Sequence, residues 1–223
     1  MLSISKQLQR SITRQLQDQR RGGRQTGLYM GRRLDVHALP RDDGRVFSKM
    51  RLPNDTPELA IGLLLDESGS MGCGSRATYA RAAAIILYDF CQSLHIPVMV
   101  YGHSTDDGVT LYSYAEFDAI DQLDRYRMMD ISARGSNRDG AALRFVAEQL
   151  AKRSEDIRLL ILVSDGQPAD AGYYGTAAEE DLRGIKAEYR RKGICFVAAA
   201  IGDDKDSIER IYGCLLYTSP SPR

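Results

Sequence analysis

The segment Asp66-Glu67-Ser68-Gly69-Ser70 sets three oxygen-bearing side chains at alternate positions directly after an apolar run. Alternate side chains of an extended backbone point to one side, so Asp66, Ser68 and Ser70 can present their oxygens together. Gly69 and Gly72 permit a tight bend, and a helical stretch follows whose positive end lies close by. Two more segments carry related chemistry. Gly135-Ser136-Asn137-Arg138-Asp139-Gly140 precedes a second helical stretch, and Ser164-Asp165-Gly166 follows a second apolar run. Two carboxylates, two hydroxyls and an amide form an all-oxygen set, which suits a hard cation, Mg2+ or Mn2+, over zinc.

Such distant segments meet only if the intervening chain folds them to one edge. Leu59–Leu65 is nearly continuous in apolar residues and reads as a strand buried on both faces; Ile157–Val163 reads as a strand and Ile194–Ile201 as another buried strand. Pro97–Tyr101 and Val109–Phe117 are further strand candidates. Helical patterns cover Ala77–Leu94, Asp139–Arg153 and Ala177–Lys192, with a short final helix over Asp206–Tyr212. Repeated strand-then-helix order predicts an α/β, Rossmann-like, doubly wound and mostly parallel sheet with helices on both faces. Ligands of such sheets bind beyond the carboxyl ends of the strands, which is where Asp66 and Asp165 fall.

The formal net charge of the 223 residues is zero, but it conceals two opposed blocks. Residues 1–51 carry 12 Lys and Arg against 4 Asp and Glu, whereas residues 52–213 carry 17 against 26. The sequence therefore divides into a basic N-terminal helix and extended arm over 1–56, a domain over 57–213, and a tail over 214–223. Ile4, Leu8, Ile12 and Leu16 give the arm one narrow helical stripe, and Gly27–Met50 reads as irregular or extended. A basic arm suggests nucleic acid, yet it has few aromatics and no nucleic-acid motif. Packing against an acidic surface is the expectation preferred here. The tail, Cys-Leu-Leu-Tyr-Thr-Ser-Pro-Ser-Pro-Arg, looks like a translated sequencing adapter and is set aside from fold reasoning. The natural chain is then expected to continue past Gly213, leaving the domain truncated at its C-terminal end. Cys73, Cys91 and Cys195 show neither disulfide nor zinc spacing, and no apolar run is long enough to span a membrane. A cytoplasmic protein is expected.

Asp66-x-Ser68-x-Ser70, the Asn137 segment and Asp165 together resemble the metal-ion-dependent adhesion site of von Willebrand factor A (VWA) domains. The resemblance covers roughly Glu58–Gly213. Most such domains have Thr as the middle ligand, three residues before a Gly; here Asn137 stands three before Gly140. Asn137-Arg138-Asp139-Gly140-Ala141-Ala142-Leu143 is instead similar to the VWA domain of the cobaltochelatase CobT subunit, and a maturation factor for another metalloenzyme, similar to the NorD proteins, is a related alternative. The resemblance implies that Ser68, Ser70 and Asn137 touch the metal, with Asp66 and Asp165 acting through water or holding the hydroxyls. It further implies an AAA+ ATPase partner of the MoxR or CobS type, and an acidic residue of a partner or client that completes the metal shell. A cobaltochelatase subunit in cobalamin biosynthesis is the specific alternative, and a metal-dependent hydrolase the alternative of a different class.

Catalytic patterns are weak. G-x-S-x-G fails at both serines, no G-x-x-x-x-G-K-[ST] phosphate loop exists, and Ser68 stands where a D-x-D phosphotransferase needs a second acid. Glu67 is expected to point away from the ligands, Asp139 to cap its helix or favour its dipole, His103 to be a solvated loop residue, and Cys73 a loop residue. Tyr173-Tyr174 reads as an exposed aromatic loop at the rim of an interface.

Overall fold

A computed structural model describes residues 23–28, 32–40, 46–51, 58–118, 123–166, 168–201, 210–211 and 215–217. The expected N-terminal helical stripe lies outside them, as does most of the expected Asp206–Tyr212 helix; Arg210 and Ile211 are helical. The chain forms two compact units, one essentially 6–57 and the other 58–223 with residues 1–5.

In the smaller unit, β1 (Gly23–Leu28), β2 (Arg33–Leu34) and β3 (Phe47–Arg51) form an antiparallel sheet in the order β1-β3-β2. The stretch expected to be irregular or extended is thus partly paired. Ser48 is wholly buried; its hydroxyl accepts from Arg24 Nε at 3.1 Å and lies 3.3 Å from the Arg33 carbonyl, which it donates to.

The larger unit is built on β4 (Leu59–Asp66), β5 (Val98–Thr105), β6 (Val109–Ala115), β7 (Ile157–Ser164), β10 (Ile194–Ala200) and β11 (Leu215–Tyr217), with a two-stranded hairpin β8 (Ala169–Asp170) and β9 (Tyr173–Tyr174) beside it. The main sheet runs β11-β10-β7-β4-β5-β6, parallel throughout except for the antiparallel β5–β6 pair. β11, from the adapter-like tail not expected to join the fold, pairs with Ala198–Ala200. The helices are α1 (Arg76–Ser93), the single turn α2 (Asp124–Arg127), α3 (Asp139–Ala151) and α4 (Gly175–Arg191). The α/β, mostly parallel architecture expected from the strand and helix order is the one found.

Every residue of β4 is buried, which explains its unbroken apolar sequence. One face of the sheet, with Ala60, Leu64, Met99, Leu160, Leu162 and Phe196, packs on Leu143, Val146 and Leu150 of α3 and Leu182 and Ile185 of α4. Ile61, Leu63 and Leu65 alternate to the other face and are equally buried. Each fully buried Leu or Ile is worth ~1.5–3 kcal/mol relative to exposure, so the sheet interior holds the strand ends in place. Among the described residues, no helix is long and apolar enough to cross a membrane.

Candidate functional site

Asp66 ends β4 with 1% exposure, and its carboxylate is satisfied from three sides. Oδ1 accepts the Ser68 backbone N–H at 2.8 Å, and Oδ2 accepts both Asn137 Nδ2 and Ser164 Oγ at 2.8 Å. The short aspartate-to-backbone bond turns the chain out of the strand. Ser68 is extended (φ −66°, ψ 161°) and leads into a 3-10 stretch, Gly69–Ser75, which runs into α1. Ser68 Oγ and Ser70 Oγ are 2.9 Å apart, and Ser70 Oγ donates to Asp165 Oδ1 at 2.9 Å. Asp165 directly follows β7, the strand beside β4.

The Asn137 loop is tied down by its backbone. Gly69 N–H donates to the Gly135 carbonyl at 2.7 Å, and Arg134 N–H to the Glu67 carbonyl at 2.7 Å. Ser136 and Thr105 exchange backbone hydrogen bonds of 2.6 and 2.9 Å, and Ala169 N–H donates to the Asn137 carbonyl at 3.2 Å. A Cβ on Gly135 would lie 2.3 Å from the Thr105 carbonyl oxygen, so only glycine allows this approach. All five expected site residues therefore fall into one connected group: Asp66 holds Asn137 and the Ser68 backbone, Ser68 meets Ser70, and Ser70 meets Asp165.

The donor chemistry of that group fits a hard cation. Among the described residues no group of three or more His, Cys, Asp or Glu side chains is arranged to hold a metal; the oxygens gathered here come from hydroxyls, an amide and two carboxylates. The Asn137 amide is oriented by Asp66, because only Nδ2 can donate to a carboxylate. Its Oδ1 is buried without a hydrogen-bond partner, in a residue only 3% exposed. An unmet buried acceptor costs about 1–3 kcal/mol, a cost that a cation coordinated by Oδ1 would remove.

A second layer of charge lies beneath this group, and it corrects the expectation for His103. His103 is not a solvated loop residue: β5 continues through Thr105, Asp66 and His103 are register partners, and the imidazole is wholly buried. Asp139 is the acid in the first turn of α3, where its charge favours the helix dipole as expected; it is also 1% exposed, and its Oδ1 lies 3.2 Å from His103 Nε2, an ion-pair contact. Pairing of β5 with β6 carries the strand four residues past Tyr101 and takes His103 inside. Glu67 points away from the ligands, as expected, and into a buried pocket of donors. Its carboxylate accepts Tyr114 OH at 2.6 Å and Arg134 Nε at 2.7 Å. A Cβ on Gly102 would meet Glu67 Oε1 and Cδ, so glycine makes room for this carboxylate.

Burial, and then the Asp139 charge, push the Asp66 carboxyl up to about 6, against the opposing effects of His103 and the Ser68 hydrogen bonds. Burial pulls the His103 imidazole down, but the Asp139 carboxylate, with Asp66 and Glu67, outweighs it and raises His103 above its ordinary value. Arg76 and Ser164 complete the site without having been singled out in the sequence. Arg76 Nη1 is 2.8 Å from Asp165 Oδ2. A cation in the first turn of a helix is electrostatically disfavoured, and that was the available signal for a nearby carboxylate. Cys73 is exposed, Tyr174 is 68% exposed, and Tyr173 donates to Asp181 at 2.8 Å, so of the tyrosine pair only Tyr174 projects freely.

Residues 60–214 match the family model of the von Willebrand factor type A domain. An uncharacterized protein, YojO, of Bacillus subtilis (strain 168) is 25% identical over 203 residues, covering 86% of this chain and 31% of its own length. Protein NorD of Brucella abortus (strain 2308) is 38% identical over 65 residues, 29% of this chain and 10% of its own length. The chain thus spans less than a third of these curated relatives. Among solved structures, the SpRpn10 VWA domain superposes with a TM-score of 0.54 at 14% identity, covering 75% of this chain and 90% of that one. The PilB minor pilin from Streptococcus sanguinis gives 0.56 at 15% identity, covering 79% and 61%. These structural likenesses speak to the fold.

Proposed function

The chain belongs to the von Willebrand factor type A domain family, and from that premise we propose that it is a divalent-metal-dependent protein-interaction module without catalysis of its own. Ser68 Oγ, Ser70 Oγ and Asn137 Oδ1 are the direct ligands for Mg2+ or Mn2+ in this reading, with Asp66 and Asp165 orienting them. The observation that carries it is the Asn137 amide oxygen, buried, unpartnered and turned away from Asp66 by the amide's own hydrogen bond. Neutral ligands leave the ion strongly electrophilic, so when bound it supplies a charge-dense contact for an acidic residue of a partner or client.

The proposed partner is an AAA+ ATPase of the MoxR or CobS type, working with this module in the cytoplasm on metal chelation or metalloenzyme maturation. Two features support this choice: the Asn137–Leu143 segment with its CobT-like pattern, and the 65-residue similarity to protein NorD. A cobaltochelatase subunit is the narrower form of the same reading. The hydrolase alternative is disfavoured because Asp66 is buried and engaged by three donors, which leaves no exposed nucleophilic oxygen.

Calorimetric titration with Mg2+, followed by capture of the candidate ATPase with Mg2+ or EDTA, tests the proposal. Wild-type protein is expected to bind the ion and to retain the ATPase only with Mg2+, and Asp66→Ala to lose both. Capture indifferent to EDTA, or phosphatase activity abolished by Asp66→Ala, would overturn it.

A further inference from the structure

We infer that Arg76 is a built-in competitor for the site's cation, holding Asp165 and thereby setting how tightly a divalent ion binds. The inference rests on the metal-site reading above and adds a regulatory residue to it.

Both oxygens of Asp165 are engaged. Ser70 Oγ donates to Oδ1 at 2.9 Å, and Arg76 Nη1 to Oδ2 at 2.8 Å. The Asp165 side chain is 3% exposed and that of Arg76 26%, so the pair is largely shielded from solvent and its attraction is only weakly screened. Arg76 also stands against the preference of its own helix. It is the first residue of α1, preceded by Ser75 in the left-handed region (φ 63°), with no side-chain cap and no acid in the first turn. A cation there adds to the positive helix end, and Asp165 is the group that offsets it.

The hydrogen-bond chain carries this charge to the proposed ligands. By donating its proton to Asp165, the Ser70 hydroxyl leaves its lone pairs for other partners. The more negative charge Asp165 retains, the more electron-rich that oxygen becomes. A guanidinium on the far oxygen of Asp165 draws on the same charge. A divalent ion at Ser68 and Ser70 must therefore share Asp165 with Arg76 or displace it, and neutralising Arg76 frees the whole carboxylate to support the ion.

The test compares Mg2+ binding by wild type, Arg76→Gln and Arg76→Lys, using calorimetry and the Mg2+-dependent rise in melting temperature. Arg76→Gln is expected to tighten binding about tenfold, to melt lower in EDTA and to show the larger rise with Mg2+. Arg76→Lys, which keeps the charge, should stay within about threefold of wild type, and raising the salt should narrow the gap between Gln and wild type. Arg76→Met, which retains the aliphatic stem, is a second neutral variant should Arg76→Gln fail to fold. Unchanged or weakened binding by the neutral variants, with wild type still binding, overturns the competitor role alone. Absence of binding by every folded protein overturns the metal-site reading and this inference with it.

Discussion

At the scale of single residues, the site depends on groups that restrain one another. Asn137 is the clearest case, because one end of its amide is claimed by Asp66 and the other end is left over. Asn137→Asp sets a second carboxylate against a buried one at hydrogen-bond distance. It is expected to destabilise the fold by about 2–4 kcal/mol in EDTA, read by denaturant unfolding, and to recover the most stability on adding Mg2+. Beneath it, Glu67 is 1% exposed and its carboxylate accepts from Arg134 and Tyr114. Arg134→Ala leaves that carboxylate uncompensated and should cost about 3–5 kcal/mol, whereas Tyr114→Phe removes one donor and should cost about 1–3 kcal/mol. A second arginine–glutamate contact gives a pH signature. The Arg153 hydrogen bond holds the Glu155 carboxyl below its ordinary value of 4.5. A depressed carboxyl stabilises the fold above its unfolded pKa, and that contribution disappears as pH falls through the folded one. Glu155→Gln should therefore melt slightly below wild type at pH 7, with the two midpoints converging as the pH drops well below 4.5.

At the scale of elements, the site is a property of two neighbouring strand ends and one pinned loop. The loop's position rests on the closeness of Gly135 to the Thr105 carbonyl. Gly135→Ala is expected to cost about 1–3 kcal/mol and, by moving Asn137, to weaken Mg2+ binding at least about tenfold; calorimetry on the folded variant reads both. The elements most legible in the sequence were those whose environment is uniform. β4 is buried along its whole length and β7 from Leu160 onward, and both are written as apolar runs; β10 is as apolar although only its alternate residues are fully buried, and the long helices over 76–93, 139–151 and 175–191 follow the apolar pattern within a few residues. The continuation of β5 through Gly102-His103-Ser104-Thr105 was not legible, because small and polar residues seldom mark a buried strand and only pairing with β6 encloses them. The same blind spot hid the role of His103 and Asp139, whose burial depends on each other. The oxygen-bearing residues that meet at the strand ends were readable from spacing; Arg76 left only the hint of a cation at a helix start, and Ser164 acts through a contact spanning 98 positions that no local pattern records.

At the scale of the whole molecule, the proposed metal site lies wholly within the larger of the two compact units. Removing residues 6–57 should leave Mg2+ affinity within about twofold and preserve one cooperative unfolding transition, checked by calorimetry and thermal melting. Sheet order has a consequence for biosynthesis. β4 and β7 are neighbours in the sheet, yet Ser70 and its partner Asp165 are 95 positions apart in the chain. A ribosome exposes the serine loop long before it has made the aspartate that steadies it. Half-finished chains therefore lack the joined oxygen cluster, which comes into being only once the central strands have zipped together.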